Sequence, residues 1–159
     1  MTAKDTGFDA HCLRIVVISR LKESEQDRPM LTDTFHPRFA DTDALEHINN
    51  TRIPEWFEGG RTPIFRLFTP DLDVHKWRLI IARYTIEFHG ELFYGEGVQM
   101  RTWISRIGNS SFDVTQEVWQ RGARCASGTT VMVHYNHQVK RAEAIPEDVR
   151  AELKALLRD

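Results

Sequence analysis

Between Arg38 and Asn50 the chain reads RFADTDALEHINN, with the carboxylates of Asp41, Asp43 and Glu46, the imidazole of His47 and the amides of Asn49 and Asn50 close together. An aromatic-bearing segment of helical character follows at once. A carboxylate near a helix N-terminus can attack a carbonyl carbon or activate water, while unsatisfied N–H groups of the first turn polarise the carbonyl oxygen. Those are the two halves of acyl transfer to water, and one well-placed donor contributes on the order of 100-fold in rate. The same residue types also build Asx-turns and helix caps. Composition alone leaves both roles open for Asp43. Asp41 reads as a loop-structuring acid, and Asn49 and Asn50 as caps first and ligands second. His47 is able either to hydrogen-bond a substrate or to fix the loop. Glu46 is either solvated or, if close to Asp43, a like charge that would raise one of the two pKa values.

The other polar groups carry less. Glu58 and Arg61 lie three apart on the expected helix, the spacing of a surface ion pair. His134 and His137, three apart on a strand, point to opposite faces and do not share a metal. Cys12 and Cys125 have no paired spacing, so neither a disulfide framework nor a thiolate metal site is expected. No other metal-ligand pattern is present, and no metal or cofactor is expected. Arg121 with Arg124, or Lys140 with Arg141, could meet phosphates, and solvated strand ends explain them equally well.

Several elements must hold the Arg38–Asn50 loop. Phe35–Phe39 reads as short and extended. In NNTRIPEWFEGGRTPIFRLF, Ile53, Trp56, Phe57, Ile64, Phe65 and Phe68 recur at helical spacing. Pro54 is tolerated only in a first turn, which puts the helix start near Thr51 or Arg52. Gly59, Gly60 and Pro63 predict a kink or break. In LIIARYTIEF, residues Ile80, Ala82, Tyr84, Ile86 and Phe88 alternate onto one face. The strands GVQMRTWISRI, FDVTQEVWQ and Arg124–Val139 follow. A hairpin turn at Gly108–Asn109 is expected, because Gly and Asn tolerate positive φ, and a second turn falls at Arg121–Ala123. Trp103 and Trp119 alternate into a sheet face. A terminal helix is expected in IPEDVRAELKALLRD, with Pro146 at its start and an apolar stripe of Val149, Leu153, Leu156 and Leu157. Strand, long helix, four antiparallel strands and a terminal helix make an α+β fold.

At 159 residues, 41% hydrophobic and 28% charged, the chain is expected to be one globular domain over 1–159. Residues 1–33 read as an N-terminal extension or an edge strand, with CLRIVVISRL a strand or a short helix. A net charge of −2 argues against a nucleic-acid partner. No apolar run reaches membrane-spanning length and the N-terminus lacks a secretory core, so a cytoplasmic protein without a membrane partner is expected.

The string R-F-x-D-T-D-x-x-x-H-I-N-N followed by W-F-E-G-G-R resembles the first signature of the 4-hydroxybenzoyl-CoA thioesterase-like branch of the hotdog-fold acyl-CoA thioesterases. The strand–turn–strand rhythm through RIGNSSF and the ending AIPEDVRAEL are similar to that family as well, so the resemblance spans about residues 34–155. It implies an antiparallel sheet wrapped around a long central helix, with a C-terminal helix. It also implies subunits joined as homodimers or homotetramers with interfacial sites, acting on acyl-CoA substrates. Carried over, Asp43 is the catalytic carboxylate, the backbone N–H of Asn50 is the oxyanion donor, and His47 and Asn49 bind substrate. Coenzyme A enters as part of the thioester substrate, and no cofactor is implied. Glu58 is the alternative carboxylate of a second hotdog thioesterase type. The chain departs from the family at Glu46, where glycine is usual, at Ile53 and Trp56, where tyrosine is commoner, and at Pro54. Alternatives to hydrolysis are a non-catalytic acyl-thioester binder, a thioesterase serving an acyl-carrier protein, and an acyl-CoA hydratase or dehydratase. The last requires a D-x-N-P-x-H-type loop, which Asp43-x-x-x-His47 does not match.

Overall fold

The computed structural model describes residues 29–158, so the run CLRIVVISRL lies outside the described residues. The elements in order are β1 (Leu31–Phe35), α1 (Arg52–Gly60), α2 (Thr62–Phe68), β2 (Leu79–Phe88), β3 (Val98–Ile107), β4 (Ser111–Gln120), β5 (Ala123–Asn136), β6 (Arg141–Ala142) and α3 (Glu147–Ala155). The strands form one antiparallel sheet in the order β1-β3-β4-β5-β2, with β6 paired to the end of β5.

Period-two patterning sets the inner face. Met100, Thr102 and Ile104 of β3 lie opposite Val118, Gln116 and Val114 of β4, and all six are buried. The sheet curls over α1, whose inward residues Ile53 and Phe57 are 1% and 2% exposed. Packing leaves no room at Gly128 in β5, where an added Cβ would lie 2.7 Å from the Phe57 ring and 2.6 Å from the Thr85 carbonyl oxygen. Only glycine admits the helix there. A second apolar cluster forms beneath α2 and α3, around Ile64, Phe112, Val149 and Leu153.

The helix starts at Arg52, with Pro54 in its first turn, and it breaks at Arg61 between Gly60 and the Thr62–Pro63 start of α2. The single long helix is therefore two short ones. Four other expectations need correction. The extended segment is Leu31–Phe35, because Phe39–Asp41 closes into a 3-10 turn. Ile80 does not share a face with Tyr84, because a bulge between Ile81 and Arg83 shifts the register and turns Ile81 to the Tyr84 side. The Gly108–Asn109 hairpin closes with the Gly108 amide donating to the Ser111 carbonyl at 2.7 Å, and neither residue has positive φ. The positive pair is instead Arg121 and Gly122, at φ 54° and 74°, in the β4–β5 turn. Finally, Glu58 and Arg61 form no ion pair: Arg61 is 4% exposed and turns inward, where its Nη1 donates to Gln116 Oε1 and Thr130 Oγ1, both at 3.1 Å.

On the opposite face of the sheet Trp119 lies under the Arg101 guanidinium, 4.4 Å from its carbon to the ring centroid. Among the described residues no helix is long and apolar enough to cross a membrane.

Candidate active site

DTDALEHI folds back on itself as a small closed loop. A bridge joins Thr42 to Ile48, the Asp43 amide donates to the His47 carbonyl at 2.8 Å, and the Glu46 amide donates to the Asp43 carbonyl at 3.3 Å. A reversal this tight needs one left-handed residue. Glu46 supplies it at φ 66°, at a cost of about 1 kcal/mol for a side chain other than glycine. The loop is then clamped to the segment before β3. The Ile48 amide donates to the Leu92 carbonyl at 2.8 Å, His47 bridges to Phe93, and the imidazole edge meets the Phe93 ring at 5.3 Å.

Within this loop the two aspartates do different work. Asp41 is 1% exposed and is held by Arg38, whose amide and Nη2 donate to it at 2.7 and 2.9 Å, with Arg52 Nε a further 3.6 Å away. The Arg38 side chain beside it holds its carboxyl below the ordinary carboxylate range, against the opposing effect of burial. Asp41 is a structural acid. A carboxyl with a depressed folded pKa stabilises the fold above the usual value of about 4 and loses that contribution as pH falls through the lower folded value. Asp41→Asn should therefore lower the melting temperature at neutral pH, by roughly 2 kcal/mol of lost charge-assisted bonding, and flatten its decline in acid. Melting curves from neutral pH into acid test this. Equal acid slopes in the two proteins would assign the acid sensitivity to another group.

Asp43 is half-buried at the mouth of a cleft of about 360 Å³, which Asp43, His47, Asn50, Glu91, Phe88 and Cys125 help to line. Its Oδ1 accepts from the Leu45 amide at 2.7 Å and the His47 amide at 3.4 Å, an Asx-turn. No described residue donates to Oδ2. Asp43 thus meets the turn-forming reading with one oxygen and leaves the other for chemistry.

Across the cleft is the start of α1. The Thr51 amide donates to Asn49 Oδ1 at 3.0 Å, the Arg52 amide to the Asn49 carbonyl at 2.9 Å and the Ile53 amide to the Asn50 carbonyl at 3.2 Å. Pro54 has no amide hydrogen. Among the described residues the Asn50 amide has no acceptor, and the positive end of the helix dipole backs it. Asn49 does not cap the helix, whose N-cap is Thr51 with no side-chain bond; its Oδ1 closes a turn onto the Thr51 amide and hydroxyl, and it is absent from the cleft lining. His47 is in the cleft and is also fixed, with its Nε2 3.4 Å from Glu91 Oε2.

Glu91 and Leu92 were not singled out by the sequence, and Phe88 and Cys125 were not read as site residues. They join the cleft through the His47–Phe93 bridge and strand pairing, contacts with no local spacing signal. Burial pushes the Cys125 thiol up from its ordinary value. Glu58 lies outside this cleft. Arg121 and Arg124 are engaged by Glu96 and Glu117. Among the described residues, no three His, Cys, Asp or Glu side chains gather closely enough to hold a metal ion.

A sheet curled around a broken helix matches known proteins. The thioesterase-like superfamily model matches residues 37–153. The chain belongs to the thioesterase-like superfamily. A predicted thioesterase from Bacillus stearothermophilus is 43% identical, with 81% of this chain and 97% of that chain covered and a TM-score of 0.79. A thioesterase from Thermus thermophilus, solved with coenzyme A and Zn, is 24% identical over 80% of this chain and 98% of that one, at a TM-score of 0.70, and shows a shared fold. No curated protein matches the sequence. As a member of this superfamily the protein has the hotdog fold and is a thioester hydrolase by class.

Proposed function

We propose that this thioesterase hydrolyses acyl-CoA thioesters, with Asp43 as the working carboxylate and the Asn50 amide as oxyanion donor. The observation that carries the reading is the pairing in one cleft of a free carboxylate oxygen with an amide that has no acceptor. Asp43 takes a proton from water, and the hydroxide adds to the thioester carbonyl. The Asn50 N–H and the α1 dipole stabilise the negative charge that forms on oxygen. Collapse breaks the carbon–sulfur bond, and the proton held by Asp43 ends on the departing thiolate, leaving a carboxylic acid and coenzyme A. His47, held by Glu91 at the rim, orients the substrate. Metal is not needed in this scheme. A reaction on acyl-CoA and a buried free thiol suit the reducing cytoplasm.

The site is expected to work in a dimer or tetramer. Among the described residues β2 pairs with β5 on one side only, and Ile81, Tyr84 and Phe88 along it are 45%, 57% and 53% exposed. A long apolar edge of this kind is normally covered, and a second copy of the chain covers it most economically.

The test is a panel of acyl-CoAs read by free-thiol release, run with and without prolonged chelation. Thiol release that survives chelation is the expected result. Binding without release would mean a carrier, loss on chelation with recovery on added zinc would remove the carboxylate scheme, and water addition to an enoyl-CoA would mean a lyase.

A further inference from the structure

A second cavity, about 170 Å³, lies along the seam between α1 and β2, lined by Phe57, Glu58, Arg61, Ile81, Tyr84 and Ile86 among others. It follows the Asp43 cleft along the same two elements. Ile53 and Phe88 line the cleft, whereas Phe57, one turn further along α1, and Ile86, two residues back along β2, line the cavity. Its walls are apolar at Pro54, Phe57, Ile81 and Ile86 and polar at Arg61, Thr130 and the exposed Glu55 and Glu58. That guanidinium is 4% exposed, with no carboxylate in ion-pair contact among the described residues. Its Nη1 is used by Gln116 and Thr130, which pins the helix break to the sheet. Pinning leaves the other edge unexplained: Nε is sealed from solvent without an acceptor, and no described residue accepts from Nη2. Nη2, which is not sealed, can donate a charge-assisted bond to a carboxylate, and a small shift of the cavity wall that opens Nε would complete the two-bond grip of a guanidinium. A buried cation left this way is costly, and a carboxylate arriving on an apolar stem would remove the cost. Glu55 and Glu58, which also line the cavity, are both exposed, so solvent screens their repulsion of such a ligand more than the buried Arg61 attraction is screened.

We propose that this cavity binds a carboxylate through Arg61. Given the thioesterase reading, on which this rests, the substrate class is an acyl thioester whose far end carries a carboxyl group, the monothioester of a dicarboxylic acid. Phe57, Ile81 and Ile86 pack the methylene stem, and Arg61 selects the terminus.

The experiment measures kcat/KM for ω-carboxyacyl-CoAs from glutaryl-CoA up to dodecanedioyl-CoA, each beside the monocarboxylic acyl-CoA of equal carbon number. At least one length should favour the carboxylated member by about tenfold or more. Arg61→Lys keeps the charge without the fork and should abolish the preference while neutral thioesters are still hydrolysed. Arg61→Met also removes the pin and is read only beside its melting curve. A second measurement needs no turnover: monomethyl esters of the same dicarboxylic acids should raise the wild-type melting temperature, and the dimethyl esters should not. Hydrolysis with no carboxylate preference at any length overturns the inference and leaves the thioesterase standing. A monoester-specific shift with no hydrolysis of any thioester keeps the Arg61 site and removes the thioesterase reading. Full preference in Arg61→Lys overturns the assignment to Arg61.

Discussion

Asp43→Asn should lower kcat by about 100-fold or more and leave the melting temperature close to wild type. The two readouts separate because the two oxygens have separate duties. Asparagine retains an Oδ1 that can accept from the Leu45 and His47 amides, so the Asx-turn and the loop should survive. The substitution removes the charge and basicity of the free oxygen, which acts on water in the transition state. The loss should therefore appear in kcat more than in KM. A factor of 100 is about 2.7 kcal/mol of transition-state stabilisation. Asp41→Asn should show the converse, with stability lost first and turnover following it. If Asp43→Asn stays within a few-fold of wild type while Glu58→Gln abolishes hydrolysis, the working carboxylate is on α1 and the loop is only a cap.

Gly128→Ala should be strongly destabilising. The added carbon would lie 2.6 Å from the Thr85 carbonyl oxygen and 2.7 Å from the Phe57 ring, with backbone on one side and the buried face of α1 on the other. Overpacking of this kind costs about 3 kcal/mol, roughly 10 °C in melting temperature for a chain of this size. Relief comes most readily by lifting α1, and α1 carries the Asn50 amide at its start. Kcat should therefore fall at temperatures where the variant is still folded. Leu153→Ala is the control. It opens a void under α3 at a comparable cost of about 2–5 kcal/mol, away from the cleft, and should leave kcat nearly unchanged. If both variants lose turnover in proportion to stability, the seating of α1 on Gly128 does not position the donor.

Where a residue's role depends on near neighbours, the sequence was readable. Pro54 marked the helix start to within a residue, and Gly59, Gly60 and Pro63 marked the break, because both follow from which backbone conformations those residues allow. Glu46, which stands where the resembling family usually has glycine, bears the left-handed conformation at φ 66°. The readings that failed depended on distant partners. Nothing local distinguishes an Arg61 that pairs with Glu58 on the surface from one that turns inward to Gln116 and Thr130, 55 and 69 residues away. Strict alternation over Ile80–Phe88 missed the bulge because the bulge exists only relative to β5. Glu91 reached the cleft through a bridge between residues 46 apart in sequence, His47 and Phe93. Asn50 was named as the donor only through the family resemblance, and by residue type alone Asp43 was equally a turn-former. Its sidedness, with one oxygen in the turn and one free, became visible only once the loop had closed.

Cys125 lines the Asp43 cleft while only 4% exposed, and its thiol is hard to ionise. A sulfur so placed should react slowly with alkylating reagents, which reach it through the cleft. In the proposed mechanism an acyl group seated beside Asp43 would lie between the reagent and the sulfur. The fraction of Cys125 left unalkylated after a fixed exposure therefore counts filled clefts. Site occupancy can then be titrated with a ligand that is never turned over, including in a protein whose Asp43 has been removed.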